Sequence, residues 1–168
     1  MIKKYLKEAL IAIVLIFIVT NVIGYYRGSS VKTDGNYYIL KNATTIDGKK
    51  VSEIIDAKKP LVVNFWGTWC PVCAQEVSTL STLAKRDDLV LITVAVNSQS
   101  AQNIRAYMQK KGVKFIVIND EDGKIAKAFN IGVFPTTVFY SVDRAKTIKD
   151  SGYTTQAGFL ARVKILAN

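Results

Sequence analysis

Two cysteines hold the chemistry open to this chain. Cys70 and Cys73 are its only cysteines, separated by Pro71 and Val72, in a sequence of 168 residues that has no histidine. Laid on the first turn of a helix, that spacing brings two sulfurs close enough to bond. A helix N-terminus also offers free backbone N–H groups and a positive dipole end to a thiolate. Cys70, at the outer edge, reads as the attacking thiolate. Cys73, one turn further in, reads as the resolving thiol that closes an intramolecular disulfide and releases the partner. A purely structural bridge this short would close almost no loop and constrain the unfolded chain little. Half of a metal site would need further ligands, and the chain has neither a third cysteine nor a histidine to supply them. No metal and no other cofactor is therefore expected beyond the cysteine pair itself.

The elements that must position the pair flank it. Leu61, Val62, Val63 and Phe65 follow Pro60 as an apolar, mostly β-branched or aromatic run, expected as a central strand that Gly67 ends. Pro71 suits a first helical turn, where its missing N–H costs nothing, and Val72, Val77, Leu80 and Leu83 give a helix starting near Cys70 an apolar stripe. Residues 89–96 form a second run, nearly continuous in apolar residues as parallel strands are. Ser98 or Ser100 can cap a helix carrying Ile104, Tyr107 and Met108, which Gly112 ends. Residues 115–118 read as a third strand, and Asp120-Glu121-Asp122-Gly123 as a solvated turn into a short helix ending near Phe129. The acidic run lacks the alternate-position ligands with which a Ca²⁺ loop continues. Residues 131–140 lead through Pro135 into a strand with a partner near Thr147 and Ile148. Thr155 then caps a final helix with Phe159, Leu160, Val163 and Leu166 on one face. Before the cysteines, residues 37–40 and 44–51 are expected as short strands around an Asp47-Gly48 turn, and residues 52–57 as a helical turn. This order predicts an α/β domain with a central mixed sheet, helices on both faces and an N-terminal hairpin extension.

The chain starts differently. Residues 9–26 carry no charge and are rich in Ile, Val and Leu, about the minimum length for a transmembrane helix. Lys3, Lys4 and Lys7 precede them and only Arg27 follows closely, which places the N-terminus in the cytoplasm and the rest outside; Tyr25 and Tyr26 would lie at the far interface. A cleaved signal peptide competes, but no small-x-small cleavage site is present. The division expected is residues 1–27 as stub and anchor in the inner membrane, 28–36 as a polar linker and 37–168 as the folded domain. Net charge is +10, from dispersed lysines without aromatic interleaving, so a nucleic-acid partner is not expected; anionic lipid or acidic proteins remain open.

Trp-Gly-Thr-Trp-Cys-Pro-Val-Cys, residues 66–73, resembles the active-site signature of the thioredoxin superfamily, and most of all its membrane-tethered TlpA, ResA and DsbE branch. The Trp-Cys-Pro-Val-Cys form is similar to ScsD-like disulfide oxidoreductases. The resemblance covers roughly residues 37–168 and implies a thioredoxin-like fold and protein substrates bearing cysteines or disulfides. A membrane dithiol donor and a catalytic domain facing the periplasm or cell exterior follow from it as well. It further implies that Val133-Phe134-Pro135-Thr136-Thr137 is the cis-proline loop facing the cysteines. Pro135 is then the cis residue, and Phe134 offers backbone groups to an extended substrate segment. The family usually has a smaller or β-branched residue where Phe134 stands. Trp66 would pack beneath the site and Trp69 form a partly exposed flank for substrate.

Many thioredoxins keep a buried acid on the strand before the motif; here that position is Asn64, which cannot titrate. Glu76, three residues after Cys73, matches a glutamate of ResA-like reductases and lies one helical turn from Cys73, within reach as its proton acceptor. The competing reading is a surface glutamate favoured by the helix dipole. Val72 cannot stabilise a thiolate as a histidine between the cysteines would, which points to a reducing or intermediate potential. The expected activity is thiol–disulfide exchange, as a reductase. An oxidant or isomerase, a thiol peroxidase and a copper-delivery module are the alternatives. Apocytochrome cysteines, as in cytochrome c maturation, a copper-stress partner and misoxidised proteins all stay open as substrates.

Overall fold

Six consecutive buried residues make strand β1 (Leu61–Trp66) the middle of the sheet. In the computed structural model of the protein, which describes residues 34–167 together with Glu8, Ile11, Ala12 and Leu15, β1 pairs in parallel with β2 (Val90–Val96) and antiparallel with β4 (Thr136–Tyr140). β3 (Val117–Asp120) extends the sheet beyond β2, and β5 (Thr147–Ser151) beyond β4, giving the order β3-β2-β1-β4-β5. A strand covered on both faces must be apolar on both, which is why β1 and β2 read as continuous runs rather than alternating ones.

Period-two geometry then sorts the side chains into two cores. Leu61, Val63 and Phe65 join Ile92, Val94, Val138 and Tyr140 on one face. Val62 and Trp66 join Leu91, Phe139 and the apolar stripe of helix α3 (Cys73–Leu83) on the other. Helix α6 (Gln156–Ala167) shares that second face through Phe159, Val163 and Leu166, and Thr155 accepts from the Gly158 N–H at 3.1 Å near its start. Helix α4 (Ala101–Lys111) is capped by Ser100, whose hydroxyl accepts from the Asn103 N–H, and ends at Gly112 in the left-handed conformation (φ 64°).

Two expectations need correction. Residues 37–40 are not a strand but part of helix α1 (Asp34–Lys41), with Leu40 fully buried and the Tyr37 ring 6.3 Å from that of Tyr140. Four consecutive apolar residues do not distinguish the two structures by period, and here 37 and 40 face the core at helical spacing. Of the expected hairpin there remains one bridge, Thr44 to Lys50, before helix α2 (Val51–Ile54), while Thr45 bridges instead to Ile118 of β3. The acidic turn is not simply solvated either. Asp120 is buried, and its carboxylate accepts from the N–H groups of Ile125 (2.9 Å) and Ala126 (2.8 Å), capping helix α5 (Lys124–Ala128). The segment 9–26 lies outside the described residues apart from Ile11, Ala12 and Leu15; among the described residues no helix is long and apolar enough to cross a membrane.

Replacing Asp120 by Ala leaves two N–H groups of α5 without their acceptor. A loss of about 2 kcal/mol in unfolding free energy is expected from chemical denaturation. Exposed Glu121→Ala, one residue on, is expected to change it by less than about 0.5 kcal/mol.

Candidate active site

The turn from β1 into α3 carries the cysteines. Cys70 N–H donates to the Gly67 carbonyl (3.1 Å) and Ala74 N–H to the Cys70 carbonyl (3.1 Å), so the first helical turn winds from Cys70 although regular helix begins at Cys73. Pro71 sits in that turn, where no N–H is needed. Cys70 and Cys73 form a disulfide with Cα atoms 5.2 Å apart. Cys70 is 4% exposed and Cys73 1%, so both are buried and Cys70 is the more accessible of the two. The backbone N–H of Cys73 points at the Cys70 sulfur (3.1 Å), a donor in place for the thiolate that reduction would leave there.

Trp69 closes one side. Its ring is half exposed, its Nε1 donates to the Val96 carbonyl (2.9 Å), and it meets the Phe134 ring edge-on at 5.4 Å. That contact joins the cysteine turn to the loop before β4, where the Phe134–Pro135 peptide is cis and Pro135 is buried. The indole folds back so far that a Cβ on Gly67 would lie 2.5 Å from Trp69 Nε1; only glycine leaves it room. Ser98 braces the same turn, accepting from the Thr68 N–H (3.0 Å) while donating to the Val96 carbonyl (3.1 Å). Trp66 lies wholly inside, against Tyr107 and Phe115. Val72, Val133 and Tyr153 are exposed apolar side chains at the cysteine turn, the proline loop and the loop after β5.

Beneath α3 the sheet carries an unusual row. The strand registers align Thr93, Asn64, Thr137 and Asp150 across β2, β1, β4 and β5. Buried polar groups need partners, and all but the Asn64 Oδ1 have them here. Thr93 donates to the Ile116 carbonyl at 2.8 Å. Asn64 donates through Nδ2 to Glu76 Oε2 (3.0 Å) and to Thr137 Oγ1 (2.9 Å). Glu76 Oε1 accepts from the Thr154 N–H (2.7 Å), while the Thr154 hydroxyl donates to Asp150 (2.8 Å) and Arg162 pairs with Asp150 at 2.8 Å. Glu76 is thus 1% exposed, which overturns the surface reading of this residue. Asn64 and Glu76 were legible as single residues; Thr137, Thr154, Asp150 and Arg162 were not, since nothing local in the sequence marks them. A lone threonine or aspartate signals this only once strand register is known.

Burial pushes the Glu76 carboxyl up from 4.5 to about 7; the Thr154 N–H and the Asn64 amide oppose the rise, and the charge of Asp150 adds to it. An acid with a raised folded-state pKa binds more protons folded than unfolded, so stability is full below pH 4.5 and falls as pH rises through about 7. The loss amounts to on the order of 3 kcal/mol. Glu76→Gln removes the titration. Denaturant titrations of the oxidised protein between pH 4 and 8 are expected to show wild type losing that much relative to the variant.

The comparisons with known proteins agree with this geometry. A family model described as the AhpC/TSA family matches residues 38–151. A thioredoxin-like protein of Haemophilus influenzae is 29% identical over 163 residues, covering 96% of this chain and 95% of that one. The thiol-disulfide oxidoreductase ResA of Bacillus subtilis is 32% identical over 108 residues, which span 62% of this chain and 58% of ResA. Among solved structures, a secreted Mycobacterium tuberculosis disulfide oxidoreductase homologous to Escherichia coli DsbE superposes with a TM-score of 0.65 at 26% identity, covering 77% of this chain and 98% of that one. The chain belongs to the AhpC/TSA family, in the thioredoxin-like branch of thiol–disulfide oxidoreductases that includes the ResA and DsbE-like proteins.

Proposed function

We propose that the protein is a membrane-anchored, extracytoplasmic reductase of protein disulfides. The observation that carries this reading is the disulfide itself. Cys70 is the more exposed of its two residues, the Cys70 sulfur already has an N–H donor, and Cys73 lies one helical turn from a buried acid titrating near neutrality. The Cys70 thiolate attacks a substrate disulfide; a Cys70–substrate bond forms, and the departing substrate sulfur leaves as a thiolate and takes a proton from water. Glu76, as carboxylate, receives the Cys73 proton. The Cys73 sulfur then attacks Cys70, expelling the second substrate thiolate and restoring the Cys70–Cys73 bond. The substrate gains two electrons, which a dithiol donor must resupply.

Trp69, Val72, Val133 and Tyr153 offer an apolar rim to a substrate segment, and the Phe134–Pro135 backbone offers strand-type hydrogen bonding. Anchoring and the external location rest on residues 9–26 and the lysines before them. The reducing direction rests on Val72 and on the absence of histidine from the chain, which leave only backbone groups to stabilise a Cys70 thiolate.

The test is trapping. In the full chain, Cys73→Ser is expected to accumulate mixed disulfides with disulfide-bearing proteins through Cys70, and Cys70→Ser to accumulate none. Rapid consumption of hydrogen peroxide without a protein disulfide substrate would instead favour a thiol peroxidase. Trapping by Cys70→Ser but not by Cys73→Ser would reverse the two roles.

A further inference from the structure

The Asn64 amide has partners for both proton states of Glu76. As placed, both Nδ2 hydrogens are engaged, one by Glu76 Oε2 and one by Thr137 Oγ1, while Oδ1 is buried with no partner. This arrangement suits a carboxylate. A proton on Oε2 would point at a donor, and an N–H cannot accept it. Turning the amide over exchanges the two ends. Oδ1 then accepts from the protonated carboxyl and from the Thr137 hydroxyl, which donates as readily as it accepts. One amide end lacks a partner in either orientation, so neither orientation is favoured by the count. The Thr154 N–H donates to Oε1 in both.

We propose that Asn64 is a positioning residue whose amide turns over as Glu76 gains or loses its proton, with Thr137 as the reversible partner, so that either form of the acid is hydrogen-bonded. The proposal rests on the reading of Glu76 as proton acceptor for Cys73. It explains why a residue that cannot titrate stands on the strand beneath the motif: it serves an acid delivered by the helix. The surroundings of Glu76 leave the task to this amide. β5 and α6 contribute Asp150 and Arg162, which are paired with each other, β4 the neutral Thr137, and α3 itself the disulfide-bonded Cys73 three residues before Glu76. Asp150 is held by Arg162 and the Thr154 hydroxyl and has no hydrogen bond to Glu76.

The experiment uses ¹⁵N,¹³C-labelled full chain with the disulfide intact, so that no cysteine titrates. The Glu76 carboxyl carbon and the Asn64 side-chain NH₂ are followed from pH 5 to 9. The two are expected to move with one midpoint, and the cross-peaks from the NH₂ protons to Thr137 to disappear below it. Cross-peaks that persist unchanged through the Glu76 midpoint would overturn the proposal. The pH profile of thiol–disulfide exchange is the second readout. Asn64→Leu removes a donor to the carboxylate and is expected to move the acid limb to higher pH by about one unit, a tenfold loss of rate below the limb; an unmoved limb in the folded variant would also overturn it. Glu76→Gln separates the two ideas. If it keeps the limb, the acceptor role of Glu76 fails, whereas the wild-type amide titration stands or falls by itself.

Discussion

A carboxylate buried under a redox helix is the constraint on which the site's arrangement turns. Glu76 sits where water cannot reach it, and the desolvation of its charge is only partly offset by two N–H donors, so its pKa rises to about 7. Holding those donors requires an amide on the central strand, a hydroxyl on the next strand, and a loop after β5 that turns back to present the Thr154 N–H. Within the polar row, Asn64 serves this need directly, Thr137 takes the second Asn64 N–H, and Asp150 holds the Thr154 hydroxyl. An otherwise apolar face of the sheet thus carries one transverse row of polar side chains, under the helix that bears the cysteines.

The outer half of the site is built from apolar contacts instead. Trp69 leans on Phe134 and is fixed at its other end by a hydrogen bond to Val96, with Gly67 giving it the space to do so. Two loops far apart in sequence are thereby joined by one pair of rings. A smaller residue in place of Phe134 would leave Trp69 without that support, so the aromatic ring that departs from the usual family pattern has a structural partner in this chain.

What the sequence revealed and what it withheld divide along physical lines. Continuous apolar runs, a serine at 98 or 100, the glycine at 112 and the Cys-Pro-Val-Cys turn are local signals; Ser100 proves to be the cap, and the third strand lies at Val117–Asp120, two residues beyond its apolar run. The run at 37–40 misled because four apolar residues in a row have no period to read. Asp120 misled because a buried cap and a solvated turn use the same residue type. The residue type at 76 fits a surface glutamate as well as a buried acid, and only its packing against Asn64 removes the surface reading. The rest of the row could not be read at all. Its members become neighbours only through strand register, which sets Thr137 beside Asn64 across 73 residues of chain.

The reduction potential of the Cys70–Cys73 pair, equilibrated against glutathione in the full chain, tests the reductase reading most directly. With Val72 between the cysteines and the Cys73 N–H as the donor at the Cys70 sulfur, a value below about −220 mV, toward the thioredoxin end of the scale, is expected. A value near −120 mV, the range of strong disulfide donors, would contradict that reading and make the protein an oxidant or isomerase of its substrates.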